Sequence, residues 1–428
     1  MIQGILKLSA IAAFFTTIFI ILYTYSHPAV DYELSVYEMI PLPVWSFLVF
    51  SNLAGLILTF YQIGKKDSEK WIWISGLLIL LLNRLTLQWL LFIRGYYTLH
   101  GDNMTHLGLI KDIILFGHAS PENVYPMTHI LLSSVILISN LPLVDVANYS
   151  TALISILGVF FIYLLSKVVL DDQNARIIAL TSAIAVLFDN YSLYLMPNGW
   201  SIFLVPIVFY LFFKDKLSKK MNYKLTFLIV IIMYPFFHPL TSLYLISAFF
   251  IVGFIQFYIC DIQKSEFNLT KIGSAMPINQ ILVLFITFFM WIVSFRLFSQ
   301  NLIDIYLIIT TGNEPNRYLD KVDDSLSKLG LGMTDFLWFI FKSMGHDLIL
   351  LLISAFSFFY FIRSNDYRKT GNLPLVALFA VSGFGFFLYA GRIFGLIQGL
   401  SAIGGERLIS YVGIFVPIFV GYWGASAP

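Results

Sequence analysis

Hydrophobic residues come in long runs along this chain, separated by short polar connectors. Runs of spanning or near-spanning length cover about 4–25, 43–63, 71–93, 127–144, 148–170, 177–196, 200–213, 225–237, 240–260, 280–300, 346–363, 373–391 and 408–424, thirteen in all. A helix needs about 20 apolar residues to cross a bilayer. The runs at 200–213 and 225–237 fall short of that, so some segments must be tilted, merged or re-entrant. The pattern predicts an all-α fold, a polytopic transmembrane helical bundle of about 11–13 spans. The first run has Lys7 upstream but no small-residue cleavage site after it, and reads as a retained span. Residues 1–428 read as a single transmembrane domain without internal repeat. The chain stops four residues after the last run, which leaves room for a further C-terminal region.

Composition sharpens this picture. The chain is 59% hydrophobic and only 12% charged, about half the charged share of soluble domains. Its excess apolar surface must meet membrane lipid. A net charge of +2 gives no footing for nucleic acid, and a single cysteine, Cys260, excludes an internal disulfide framework. P-loop, GxGxxG, HExxH and CxxC patterns are absent from the sequence, which leaves a mechanism driven by ATP or a cytoplasmic nucleotide-sugar without support.

Three basic connectors orient the bundle, because short loops rich in Lys and Arg stay cytoplasmic. They carry Lys65, Lys66 and Lys70; Lys214, Lys216, Lys219, Lys220 and Lys224; and Arg363, Arg368 and Lys369. With these inside, the loop 26–42, residues 94–126, His238, the acidic loop 301–345 and residues 392–407 all fall outside. Polar chemistry then collects on one face. The parity has a defect: five runs separate the first two basic connectors, an odd number, and the doubtful region is 127–200.

The most informative stretch is 94–129. Met104, Leu107, Ile110 and Ile114 recur at helical spacing, Asp102 or Asn103 is a candidate N-cap, and Gly117 is a stop signal. These features predict an amphipathic helix lying along the outer interface, with Asp102 and His106 sharing its other face. A carboxylate at a helix start can simply cap it, or it can act as a base toward an acceptor hydroxyl beside a site that attracts phosphate.

These residues resemble a known family. A Gly101-Asp102 pair, His106 four residues on, an amphipathic helix ending in Gly117, and Tyr125-Pro126 opening the next apolar run are similar to the first extracytoplasmic loop of GT-C membrane glycosyltransferases. That superfamily includes oligosaccharyltransferase catalytic subunits and protein O-mannosyltransferases. The resemblance implies an integral membrane glycosyltransferase, set in the plasma membrane with its active site outward. It would take a sugar from a polyprenyl-phosphate-linked donor and pass it to an acceptor that the residues do not identify. It implies Asp102 and His106 as catalytic residues. A divalent cation, Mg or Mn, would have Asp102, His106 and His238 as candidate ligands. It also makes 94–126 the catalytic loop and 301–345 a substrate lid. The chain departs from the commonest family pattern in lacking a second acidic residue beside Asp102.

Later residues fit the same reading. His238 lies at a helix break between Pro235 and Pro239, where it could satisfy freed backbone groups or bind phosphate or metal. Arg392 and Arg407 fall at the outer ends of the last two spans, where an arginine fork suits a lipid phosphate and snorkelling is the plainer alternative. Gly404 and Gly405 would let a phosphate approach Arg407, and Glu406 could hold its guanidinium in the empty site. Tyr125 completes the set assigned to the carrier phosphate. Arg84, in the third run, is expected to pair with a carboxylate that faces the bundle interior. Two other classes remain open: a transporter or flippase of a lipid-linked substrate, and a polysaccharide polymerase or ligase. Transporters concentrate charge at mid-span, where this chain has only Arg84, Asp189 and Arg296.

Overall fold

The computed structural model describes residues 2–31, 36–61, 63, 70–96, 102–188, 190–218, 220–257, 277–311, 326–328, 330, 332–365, 372–393 and 405–426. Cys260 and Asp189 lie outside them, as does 312–325 of the expected lid. Among the described residues the fold is all helix, with no strand. The principal helices are α1 Ile2–Ser26, α2 Leu42–Tyr61, α3 Lys70–Ile93, α4 Asn103–Phe116, α5 Pro126–Ser139, α6 Leu143–Val169, α7 Gln173–Ala185 and α8 Pro197–Ser218. They continue as α9 Met221–Met233, α10 Pro239–Phe257, α11 Ile278–Ile292, α12 Arg296–Thr311, α13 Met333–Arg363, α14 Leu373–Ile393, α15 Gly405–Gly413 and α16 Val416–Ser426. Among the described residues eight helical stretches are long and apolar enough to cross a membrane, and three shorter apolar helices join them. The protein is an integral membrane helical bundle.

The parity defect has a physical resolution. At 14 residues, α5 is about 21 Å long, too short for a hydrocarbon core of about 30 Å. It closes at Asn140 in the left-handed region, φ 54°, and packs against α4 and α6 instead of crossing. The run at 177–196 is also broken: α7 ends at Ala185, a short helix Asn190–Leu193 follows, and α8 starts at Pro197. With α5 removed, and the whole broken segment from Gln173 through the short helix Asn190–Leu193 taken as one pass, four passes separate the first two basic connectors. The helix ends that carry Lys214, Lys216, Lys224 and Arg363 then share one end of the bundle, and α4 lies at the other.

Packing follows the rules for helices in lipid, where hydrophobic burial between helices gives way to close approach and buried polar contacts. A Cβ on Gly76 would stand 2.5 Å from Thr59 Oγ1 and 2.6 Å from the Gly55 carbonyl, so α3 can lie on α2 only because position 76 is glycine. Thr17, Ser51 and Asn83 tie α1, α2 and α3 together: the Thr17 hydroxyl donates to Asn83 Oδ1 at 2.7 Å, and Asn83 Nδ2 donates to Ser51 Oγ at 3.0 Å. The centre is aromatic, with Phe209 edge-on to Phe415 at 5.1 Å and Phe379 stacked on Phe419 at 4.0 Å. Such pairs add about 0.5–1.5 kcal/mol each beyond area burial.

Three expectations are corrected here. Among the described residues Arg84 forms no hydrogen-bonded carboxylate pair. Its Nη1 donates to the carbonyls of Ala183, Ile184 and Val186 at 2.7–2.9 Å, which closes the frayed end of α7 inside the bundle, while Asp347 acts on it only through its charge. The segment 301–345 is not a plain loop, since α12 occupies its first part and α13 begins at Met333. Arg296, expected at mid-span, is the exposed first residue of α12.

Candidate functional site

Helix α4 carries the first half of the site. It begins after Asp102 (φ −77°, ψ 0°), whose exposed side chain makes no capping hydrogen bond. It ends as expected at Gly117, φ 74°, whose N–H donates to the Ile113 carbonyl at 2.9 Å. Leu107 and Ile110 pack against Leu132, Val146, Ala147, Leu195 and Trp200. His106 belongs to this buried face, at 6% exposure, whereas Met104 is 54% exposed. The expectation that Asp102 and His106 share a polar face, with Met104 on the apolar one, is therefore corrected. The reason is a polar partner inside the fold that drew His106 inward.

That partner is His129 on α5. His106 Nδ1 lies 3.0 Å from His129 Nε2, and the two rings are tilted by 30°. His129 Nδ1 in turn lies 2.9 Å from Asn123 Oδ1, which also accepts the Tyr125 backbone N–H at 3.1 Å. The turn before α5 thus supplies an acceptor for a buried imidazole chain, as buried polar groups require. Burial lowers the His106 pKa to about 4 against the opposing pull of Asp102, so the ring is neutral at pH 7.

The second half comes from the break between α9 and α10. A 3-10 turn, Tyr234–Phe236, leads into His238, which is 5% exposed. The backbone groups of His238 are satisfied without its ring: the His238 N–H donates to the Tyr234 carbonyl, and Ser242 donates to the His238 carbonyl from both N–H and hydroxyl. The ring instead stacks on Tyr125, with centroids 5.1 Å apart and planes 9° apart. Burial first, and then the charge of Arg407, lowers its pKa to about 3. Burial likewise raises the Tyr125 phenol, Arg407 opposing and Asp102 reinforcing the shift.

Arg407 enters from α15, and that helix is anchored one turn later. The Tyr411 hydroxyl meets Thr241 Oγ1 at 3.0 Å, Thr241 meets Ser201 Oγ at 2.7 Å, and Tyr411 stacks on Tyr244 at 4.2 Å. The Tyr244 hydroxyl also donates to the Tyr411 carbonyl at 3.2 Å. Among the described residues Arg407 itself makes no hydrogen bond or ion pair. Arg392, in the last turn of α14, crosses the start of α15: its Nη1 lies 2.7 Å from where a Cβ of Gly405 would stand. Gly404 and the Glu406 side chain lie outside the described residues.

The structure therefore gathers Asp102, His106, Tyr125, His238 and Arg407 at one end of the bundle, with Tyr125 sensing both Asp102 and Arg407. Asn123, His129, Thr241 and Tyr411 are additions that the sequence reading missed. The one signal was His129, a polar residue on a short apolar helix that opens with Pro126. The described residues contain no group of three His, Cys, Asp or Glu side chains placed to hold a metal ion, and His106 Nδ1 is already engaged by His129. The chemistry argued from this site accordingly runs through its side chains. Compared with protein-family models, with curated proteins and with solved structures, the chain matches none.

Proposed function

We propose that the protein is an integral membrane glycosyltransferase of GT-C type that takes a sugar from a polyprenyl-phosphate carrier on the outer face of the plasma membrane. One observation carries the reading. An unpaired carboxylate, Asp102, and an unpaired guanidinium, Arg407, flank the same stacked pair, Tyr125 and His238, at the bundle end opposite the basic connectors. Transfer from such a carrier needs both charges. The acceptor must lose a proton, and the departing carrier phosphate must be stabilised as the glycosidic bond breaks. Asp102, freed from any capping duty, accepts the acceptor's proton. Arg407 binds the phosphate, and Arg392, His238 and Tyr125 border it. Membrane lipid delivers the donor at the same depth.

The fate of Arg84 also favours an enzyme over a transporter. Its charge is spent on three backbone carbonyls, which leaves it no role on a substrate path. The deciding experiment supplies purified full-length protein in proteoliposomes with a set of polyprenyl-phosphate sugars and a set of peptide, glycan and lipid acceptors, and measures release of the bare carrier phosphate. Carrier release from at least one donor, lost in Asp102→Asn, is the expected result. Release that is equal in wild type and Asp102→Asn would overturn the assignment.

A further inference from the structure

The chain of contacts from Tyr125 to His106 fixes where protons sit. The Tyr125 backbone N–H is an obligate donor, so the Asn123 atom 3.1 Å from it is the amide oxygen. Oδ1 can only accept, so His129 Nδ1, 2.9 Å away, must carry a hydrogen. A neutral ring with its hydrogen on Nδ1 has a bare Nε2. That bare atom faces His106 Nδ1 at 3.0 Å, so His106 Nδ1 donates. His106 Nε2 is then left with a lone pair, on the first turn of α4 and one turn from Asp102. All three side chains are buried, with Asn123 at 1% and His129 at 0% exposure, so water does not compete for these bonds.

We propose that Asn123 and His129 are positioning residues that hold His106, whose ring lies edge-on to Tyr125, in its Nδ1–H form, so that the lone pair His106 offers to the site is the one on Nε2. The inference rests on the glycosyl-transfer reading of this site. In the step, the acceptor O–H or N–H gives its proton to the Asp102 carboxylate, and the electron pair left on that atom forms the new bond to the sugar's anomeric carbon. The bond from that carbon to the carrier phosphate breaks with its electrons on the phosphate oxygen, facing Arg407. The protonated Asp102, exposed at the bundle end, then gives its proton to water, which returns the site to its starting state. The titratable groups around the ring are the Asp102 carboxylate, the neutral His129 and His238 imidazoles and the Tyr125 phenol, with Arg407 beyond His238 and Tyr125.

The test reads the protons directly and needs no sugar donor. Full-length protein labelled with 15N-histidine and reconstituted in nanodiscs is measured by NMR at pH 7, with His106→Gln and His129→Gln identifying the signals. Both rings should show a protonated Nδ1 and an unprotonated Nε2. Asn123→Leu, which removes the acceptor, should let the second tautomer of both rings appear. A His106 ring protonated at Nε2 in the wild type would overturn the proposal, and so would an Asn123→Leu spectrum with unchanged tautomers. If Asn123→Leu fails to fold, the wild-type spectrum alone decides. An outcome against the tautomer leaves the glycosyl-transfer reading standing, whereas absence of carrier release with the expected tautomer defeats that reading and leaves the hydrogen-bond chain intact.

Discussion

At Asp102 a helix starts without using the carboxylate that stands at its first position. Aspartate at such a position usually caps, a role worth about 1 kcal/mol. Here no such bond forms, so Asp102→Asn should leave the melting temperature of the protein almost unchanged while lowering turnover about 10²-fold or more. Thermal melts beside turnover rates test the pair of claims together, and a large drop in stability at normal turnover would return Asp102 to the helix. His106 makes a prediction of its own. Its folded-state pKa of about 4 lies below the value of an unfolded histidine, about 6.5. Between those values the unfolded chain binds more protons, so stability is fully present above pH 6.5 and is lost as pH falls toward 4. Melting temperatures from pH 7 to 4 should fall along this window, and His106→Gln should flatten part of that slope. An identical slope in the variant would place the titrating group elsewhere. The residue scale was only partly legible from sequence: Asp102, Tyr125, His238 and Arg407 announced themselves by motif or position. The partners that explain them, Asn123, His129, Thr241 and Tyr411, are met through contacts such as Thr241 to Tyr411, 170 residues apart, that no spacing rule reports.

Among the elements, α4 was legible almost to its ends, because Gly117 needs the left-handed region that glycine favours. Its orientation was not. Hydrophobic spacing alone put Met104 inward and His106 outward, and the hydrogen bond to His129 reverses both. The same limit explains the miscounted spans. Hydropathy registers α5 as strongly as a true crossing, while its length decides that it does not cross. Glycine positions show the packing that hydropathy cannot see. Gly76→Leu should force α3 away from α2 and cost about 1–3 kcal/mol. Gly383→Leu, with nothing within 4 Å of its Cβ position, should be tolerated. Comparing their unfolding in detergent checks this contrast, and equal losses would contradict the close approach of α2 and α3.

For the molecule as a whole, charge distribution and chemistry point to opposite ends. In a Cys260→Ser background, cysteines placed at the exposed positions 102, 118 and 299 should react with a membrane-impermeant reagent added outside intact cells. A cysteine at 220, exposed at the other end, should be protected until the membrane is opened. The reverse pattern would turn the bundle over and move the proposed chemistry to the cytoplasmic side. The bundle was legible because lipid imposes long apolar runs that leave a mark in composition. The convergence of α4, α10 and α15 was not, because it depends on a broken helix and on Tyr244 and Tyr411 stacking across the interior.

The central claim is that Arg407 binds a carrier phosphate, and native mass spectrometry of the purified full-length protein mixed with polyprenyl phosphate tests it most directly. Lysine keeps the charge and loses the two-pronged fork. The account predicts one bound polyprenyl phosphate per chain in the wild type, weaker retention in Arg407→Lys and none in Arg407→Gln, with the uncharged polyprenol failing to compete. Equal retention by all three proteins, or full competition by the uncharged polyprenol, would contradict it.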